Sequence, residues 1–177
     1  MTRRGPAVAL ICALVAAACG SGGGTPLATF PPASFGSGAT TAAAAETRRL
    51  VTVALSTEGL QAETPPVVSR PAEAPTLADA PRLVVQALLP DDPQHGYIVI
   101  YELRDPSVAS ATARDQAEYV ASGIGFVQFP PDSRFVIRTV GATVIFFAWS
   151  PANSPDARTA KIASALESVG TGVDVPR

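Results

Sequence analysis

The order of helix-like and strand-like segments predicts an α/β fold, a two-layer sandwich with helices packed on a four-stranded sheet. Three observations carry that expectation. Two pairs of β-branched or aromatic runs, over 83–103 and 134–149, are each interrupted by turn chemistry. Two segments, over 105–123 and 154–170, open on a capping residue followed by proline and close on glycine, which is the punctuation of a helix. An alanine-rich segment over 42–58 adds a helix ahead of the first strand pair.

In AAAAETRRLVTVALSTEGL, helical spacing puts Leu50, Val51, Ala54 and Leu55 on one face. Gly59 is placed as a left-handed stop, and Leu60 is set for an apolar contact back to Leu55. Residues 65–81 (PPVVSRPAEAPTLADAP) hold five prolines, which lack the amide donor a sheet interior needs, so they predict a surface wrap. RLVVQALLP-DDPQHG-YIVIYEL then reads as a strand pair around a turn. Residues 97–103 make the firmer strand, and 83–89 suit a strand or a short helix. Asp105 caps the next helix with Pro106 at its first position, and Ala109, Ala113, Ala117 and Val120 form its buried stripe up to Gly123. RFVIRTV-GA-TVIFFAW is a hairpin whose Gly141 suits the first position of a type II′ turn. The last helix is capped by Ser154, with Pro155 and Asp156 in its first turn and Ile162, Leu166 and Val169 facing inward.

Consecutive strands usually pair, and strand-helix-strand crossovers are right-handed. Setting 97–103 in parallel beside 143–149 gives the order 83–89, 97–103, 143–149, 134–140. That is a ferredoxin-like four-stranded sheet, antiparallel within each hairpin and circularly permuted so that its usual last strand comes first. Both later helices then share one face, and the helix over 42–58 is free to cover the other or to extend the layer.

Ahead of the domain, residues 1–18 carry the parts of an export signal. Arg3 and Arg4 form the positive end, PAVALICALV the apolar core, and Ala16, Ala17 and Ala18 the small-residue cleavage zone. The apolar stretch with its alanines spans roughly 20 Å as a helix, too short for a ~30 Å hydrocarbon core. Small residues directly before Cys19, then Gly20 and Ser21, resemble the lipobox of bacterial lipoproteins, with Ala16 where that motif most often has Leu. The resemblance covers residues 3–24 and implies a diacylglycerol-modified Cys19 as the mature first residue. Ordinary secretory cleavage before the same cysteine would leave a free thiol. The order of signal parts favours lipidation. So does the cysteine inventory, because Cys12 leaves with the signal and a lone exposed thiol on an exported chain is an oxidation hazard. Residues 19–41 continue as an uncharged Gly/Ser/Thr/Ala/Pro linker with an average reach of about 25 Å. Residues 42–172 are a single domain and 173–177 a tail.

The chain carries 13 basic and 15 acidic residues. Removing the signal takes two of the basic ones, which leaves a net charge near −4 and argues against nucleic-acid binding or a polybasic membrane surface. The membrane partner is therefore reached through the lipid. The one histidine, His95, lies in DDPQHG, where Asp, Pro and Gly are what a turn requires, and it reads as a solvated passenger. No second cluster of ligands announces a metal, no glycine-rich loop a phosphate, and no nucleophile elbow a hydrolase, so neither a catalytic residue nor a cofactor is assigned. Trp149, heading WSPANSPD, is a ligand platform or the closure of a core. FVQFPPDSRF is a connection pinned by phenylalanines or an exposed apolar lip. Arg134 and Arg138 point to one face of their strand and mark, with Trp149, a candidate ligand site on the open sheet face.

The expected protein is an exported lipoprotein on the outer face of a bacterial cell membrane, or on the periplasmic side in a two-membrane cell. Its domain is expected to bind a small molecule or a protein partner. The rivals are a small enzyme using the His95 turn or the Trp149–Asp156 loop, and a structural envelope component.

Overall fold

The computed structural model describes residues 41–66 and 69–176. The expected signal, Cys19 and the expected linker up to residue 40 lie outside the described residues.

Helix α1 (Ala42–Thr57) opens on Thr41, whose hydroxyl accepts the Ala44 amide at 3.4 Å. It closes on Gly59 at φ +74, with the Leu60 amide on the Leu55 carbonyl at 2.9 Å and the Gly59 amide on that of Ser56 at 3.0 Å. That pair of bonds is a Schellman motif, and buried Leu60 makes the apolar contact that goes with it. Strand β1 (Ala62–Glu63) follows, then the proline-rich wrap with one short helical turn, α2 (Pro75–Ala78). The first pair is β2 (Arg82–Ala87) with β3 (Tyr97–Glu102), so the segment left open between strand and helix is a strand. Helix α3 (Pro106–Ala121) starts on Asp105, whose Oδ1 accepts the amides of Ser107 and Val108 at 3.0 and 2.9 Å. A short turn, α4 (Gly123–Phe126), leads to the hairpin β4 (Arg134–Val140) and β5 (Thr143–Trp149), with Gly141 at φ +53. A 3₁₀ turn (Pro151–Asn153), helix α5 (Thr159–Glu167) and strand β6 (Thr171–Gly172) complete the chain. The last helix begins five residues after the expected cap: Ser154 ends the 3₁₀ turn, and Arg158 precedes α5 with no side-chain cap.

The six strands form one antiparallel sheet in the order β1-β2-β3-β5-β4-β6. The central order is the expected one, but three expectations are corrected. The sheet has six strands rather than four, because two-residue strands join each edge. β3 and β5 are antiparallel, with Val99 opposite Phe146. The crossover from β3 through α3 leads to β4, and β5 folds back between them, so the parallel relation holds for β3 and β4 across an intervening strand.

Third, the helices occupy both faces. Val51, Leu55, Ile162 and Leu166 of α1 and α5 pack on Val85, Ile98, Ile100, Ile145 and Phe147. Ala109, Ala113, Ala117 and Val120 of α3 pack on Val84, Val99, Tyr101, Ile137, Val144 and Phe146. The result is three layers, not two. Both crossovers, β3-α3-β4 and β5-α5-β6, move the same way across the sheet but start from oppositely directed strands. With one handedness, they must lie on opposite faces.

Candidate functional site

The α3 face is covered unevenly, and a pocket of about 230 Å³ opens where the cover ends. Alternation puts Tyr97 and Val99 of β3 beside Phe146 and Ala148 of β5, and these form the floor. Ser69 and Pro71 of the proline-rich wrap stand on one side, and Phe129, Pro130 and Ser133 of the α4–β4 connection on the other. The rim carries His95, Trp149, Ser150, Asn153 and Ser154.

Each wall is braced. The wrap is fastened by Gln116 of α3, which is fully buried: its Oε1 accepts the Ala74 amide at 2.7 Å, and its Nε2 donates to the Ala72 carbonyl at 3.2 Å. Beside it the Glu73 side chain, 2% exposed, pairs with Arg82 and accepts from the Tyr101 hydroxyl at 2.6 Å. Burial, reinforced by that bond to Glu73, pushes the Tyr101 hydroxyl far above its ordinary pKa. Arg82 also donates to the Ala78 carbonyl at 2.7 Å and lies over the Tyr101 ring at 5.4 Å. On the other side Phe129 meets Phe135 edge-on at 4.9 Å, and Phe135 stacks with Phe146 at 6.3 Å. The stretch expected to be either pinned or exposed is both: Phe129 and Phe135 are packed, while Phe126 and Val127, like neighbouring Ile124, stand in solvent.

The rim is polar and largely committed. Ser150 Oγ donates to Asp132 Oδ1 at 2.6 Å, and the Ala152 amide donates to Asp132 Oδ2 at 2.7 Å. The Ser150 bond and then the Ala152 amide hold the Asp132 carboxyl below its ordinary pKa. Trp149 is among the rim residues, but its ring stacks on Phe147 at 5.2 Å and packs with the cluster under α1 and α5.

The turn that carries His95 is more than a solvated loop. The His95 amide bonds the Asp92 carbonyl at 3.2 Å, which closes the turn. Gln86, buried in β2, donates from Nε2 to the carbonyls of Pro93 and His95 at 3.0 and 3.1 Å. Gly96 takes φ +84, and a Cβ there would sit 2.5 Å from the Ala87 carbonyl oxygen, so the position admits only glycine. The Asp91 amide donates to Asp156 Oδ2 at 3.2 Å, which ties the turn to the start of α5. On this frame His95 Nδ1 lies 2.5 Å from Asp92 Oδ1, with the Asp92 side chain 6% exposed and that of His95 55% exposed. Asp92 Oδ2 is buried without a hydrogen-bond partner among the described residues.

The sequence-derived candidates fall in different places. Trp149 lines the pocket. Arg138 caps the end of α5: Nε donates to the Val169 carbonyl at 2.8 Å, and Nη2 to those of Glu167 and Gly170 at 2.7 and 2.8 Å. Arg134 is exposed at the start of β4, opposite Trp149 in register but outside the pocket lining. The face that both arginines share is the one α1 and α5 cover, so no open sheet face exists there. The sequence reading set His95 and the neighbouring aspartates aside as turn chemistry; the signal for the Asp92–His95 pair was that a four-residue turn brings its first and last residues together. Among the described residues no group of three His, Cys, Asp or Glu side chains is placed to hold a metal, and no helix is long and apolar enough to cross a membrane. Comparison with protein-family models, curated proteins and solved structures finds no match for the chain.

Proposed function

We propose that the chain is a lipid-anchored extracytoplasmic module whose domain binds a small uncharged molecule in this pocket. The observation that carries the reading is the division of the lining. Its floor and one wall are aromatic and aliphatic, its rim supplies hydroxyl, amide and imidazole groups, and no Arg, Lys, Asp or Glu belongs to it. Such a surface desolvates an apolar body and orients a polar end, without the cation that a phosphate or carboxylate ligand requires. The volume suits a ligand of modest size, above the ~150 Å³ that accepts benzene and below the ~300 Å³ at which drug-sized sites begin.

The anchoring half of the proposal rests on the signal and lipobox-like residues up to Gly24 and is supported by the polarity of the domain. Near the start of α1, Thr47 bonds Thr143 at 2.8 Å, at the end of the sheet where β5 begins. The pocket lies where β5 ends and β3 begins. The first turns of α1 therefore lie at the end of the domain remote from the pocket.

Trp149 is the only tryptophan and adjoins the pocket rim, so its emission reports on that end of the sheet. Titrating a panel of small aromatic and short-acyl alcohols, esters and amides should give saturable changes in Trp149 emission that Phe129→Ala weakens at least tenfold. A panel without any saturable response sinks the binding reading. For the anchor, mass spectrometry of the mature N-terminus should find a diacylglyceryl group on Cys19. An unmodified thiol there, or cleavage elsewhere, removes the lipid.

A further inference from the structure

The pocket does more than hold its ligand: we infer that His95 is the general base of a hydrolytic site on its rim, with Asp92 as the residue that positions it and a small uncharged ester as the substrate class. The inference rests on the small-molecule pocket proposed above. Three features of the turn point to it. A carboxylate only accepts, so the 2.5 Å contact places an imidazole hydrogen on Nδ1, and the neutral ring then carries its lone pair on Nε2. Asp92 is nearly buried and its second oxygen has no partner among the described residues, so the imidazole is the main group that answers its charge. An Asp that merely shaped a turn would accept from turn amides, as Asp105 does at the head of α3. Asp92 instead spends its side chain on His95, while Gln86, the obligatory Gly96 and the Asp156 bond to Asp91 fix the backbone beneath it. This is the arrangement by which a carboxylate sets tautomer and ring orientation in a base.

The lining chooses the chemistry. Without Arg or Lys it offers no clamp for a phosphoryl group, whereas an uncharged acyl compound matches an aromatic floor and a hydroxyl rim. Ser150 is already committed, with Oγ donating to Asp132 and accepting the Asn153 amide at 3.2 Å, and none of the other lining serines, Ser69, Ser133 and Ser154, bonds the His95 ring, so water is assigned as the nucleophile. His95 Nε2 takes a proton from that water as its oxygen adds to the ester carbonyl carbon and the carbonyl electron pair moves onto oxygen. Collapse of the tetrahedral species re-forms the carbonyl and expels the alkoxide, which takes the proton from Nε2. The products are a carboxylic acid and an alcohol, and the imidazole returns neutral.

The test uses the purified full chain with 4-nitrophenyl acetate and butyrate, with Trp149 emission read in parallel. Saturable release of nitrophenolate is expected. His95→Ala should lower kcat at least ~100-fold while a saturable Trp149 response persists, and added imidazole should restore part of the rate. Asp92→Asn, which keeps the shape of the side chain, should lower kcat at least about tenfold with KM unchanged. Equal turnover in His95→Ala, or binding seen by Trp149 with no saturable turnover, overturns the inference and leaves the binding reading standing. Loss of every Trp149 response overturns both. A burst of one nitrophenolate per chain, with the acyl group found on a pocket serine, overturns the assignment of water.

Discussion

The two faces of the sheet carry much the same side chains but are covered in different ways. On one face α1 and α5 bring Val51, Leu55, Ile162 and Leu166, all fully buried, onto a floor of isoleucines and Phe147. On the other, α3 works alone and brings alanines. A helix with its side chains is about 10 Å wide and neighbouring strands lie about 4.8 Å apart, so one helix covers little more than two strands where two helices cover four. Short side chains also let α3 settle close to the sheet, which narrows the strip it protects. The remainder of that face is left to the proline-rich wrap and the Phe129–Ser133 connection, and the pocket is what those two segments fail to fill. A closed face serves stability. The face with a single alanine-lined helix has room for a site.

If that contrast holds, the single-helix face should depend on polar fastenings and the two-helix face on apolar volume. The largest effect is expected at Glu73, whose removal leaves Arg82 and the Tyr101 hydroxyl without their buried partner. Glu73→Ala should cost about 3–5 kcal/mol in denaturant unfolding, the range for breaking one side of a buried pair. It should also weaken the Trp149 response, because Pro71 of the wrap lines the pocket. On the other face Leu166→Ala should cost about 2–5 kcal/mol through the cavity it opens, with the half-saturation for ligand unchanged. Phe129→Ala sharpens the comparison: the ring is only half-buried, so it should cost less than Leu166→Ala while removing most ligand affinity. Equal losses of stability and affinity at all three positions would dissolve the distinction between the faces.

How much of this was legible in the sequence follows the same division. Local rules placed α1 with its glycine stop, α3 with Asp105 and Pro106, and the hairpin with Gly141, because caps and tight turns are decided by a few adjacent residues. The face each helix takes was not legible, since it depends on which strand a crossover reaches, and β5 inserts between β3 and β4 only after its hairpin folds back. The start of α5 was misplaced for a related reason. Asp156 looks like a first-turn acid, but its carboxylate is taken by Arg158 and by the Asp91 amide 65 residues away, so the helix begins later. Arg138, a plausible anion ligand on an open strand, is occupied by the end of α5, a partner that sequence distance hides. His95 was visible as a turn residue, yet its pairing with Asp92 gained meaning only with the pocket beside it.

The smallest effect is expected at Asp156 and concerns the seam where the His95 turn meets α5. The Arg158 guanidinium, ahead of the amides of Arg158 and Asp91, holds the Asp156 carboxyl well below the usual carboxylate range. A carboxyl whose pKa is lower in the folded state releases its proton more readily there than in the unfolded chain. Its contribution is therefore complete above the unfolded value of about 3.9 and is lost as pH falls from there toward the folded value. Asp105 is depressed as well, with the Ser107 hydroxyl as the leading cause, so acid should loosen both the head of α3 and the seam before α5. Unfolding followed from pH 6 downward should show wild-type stability falling below about pH 4, and Asp156→Asn should fall less steeply over that window. Hydrogen exchange adds the location: in Asp156→Asn at pH 6 the Asp91 amide should lose protection, because its acceptor is Asp156 Oδ2, while the Ser107 and Val108 amides bonded to Asp105 keep theirs. Unchanged protection at Asp91 would mean that the His95 turn holds itself in place through Gln86 and Gly96, without help from the other face.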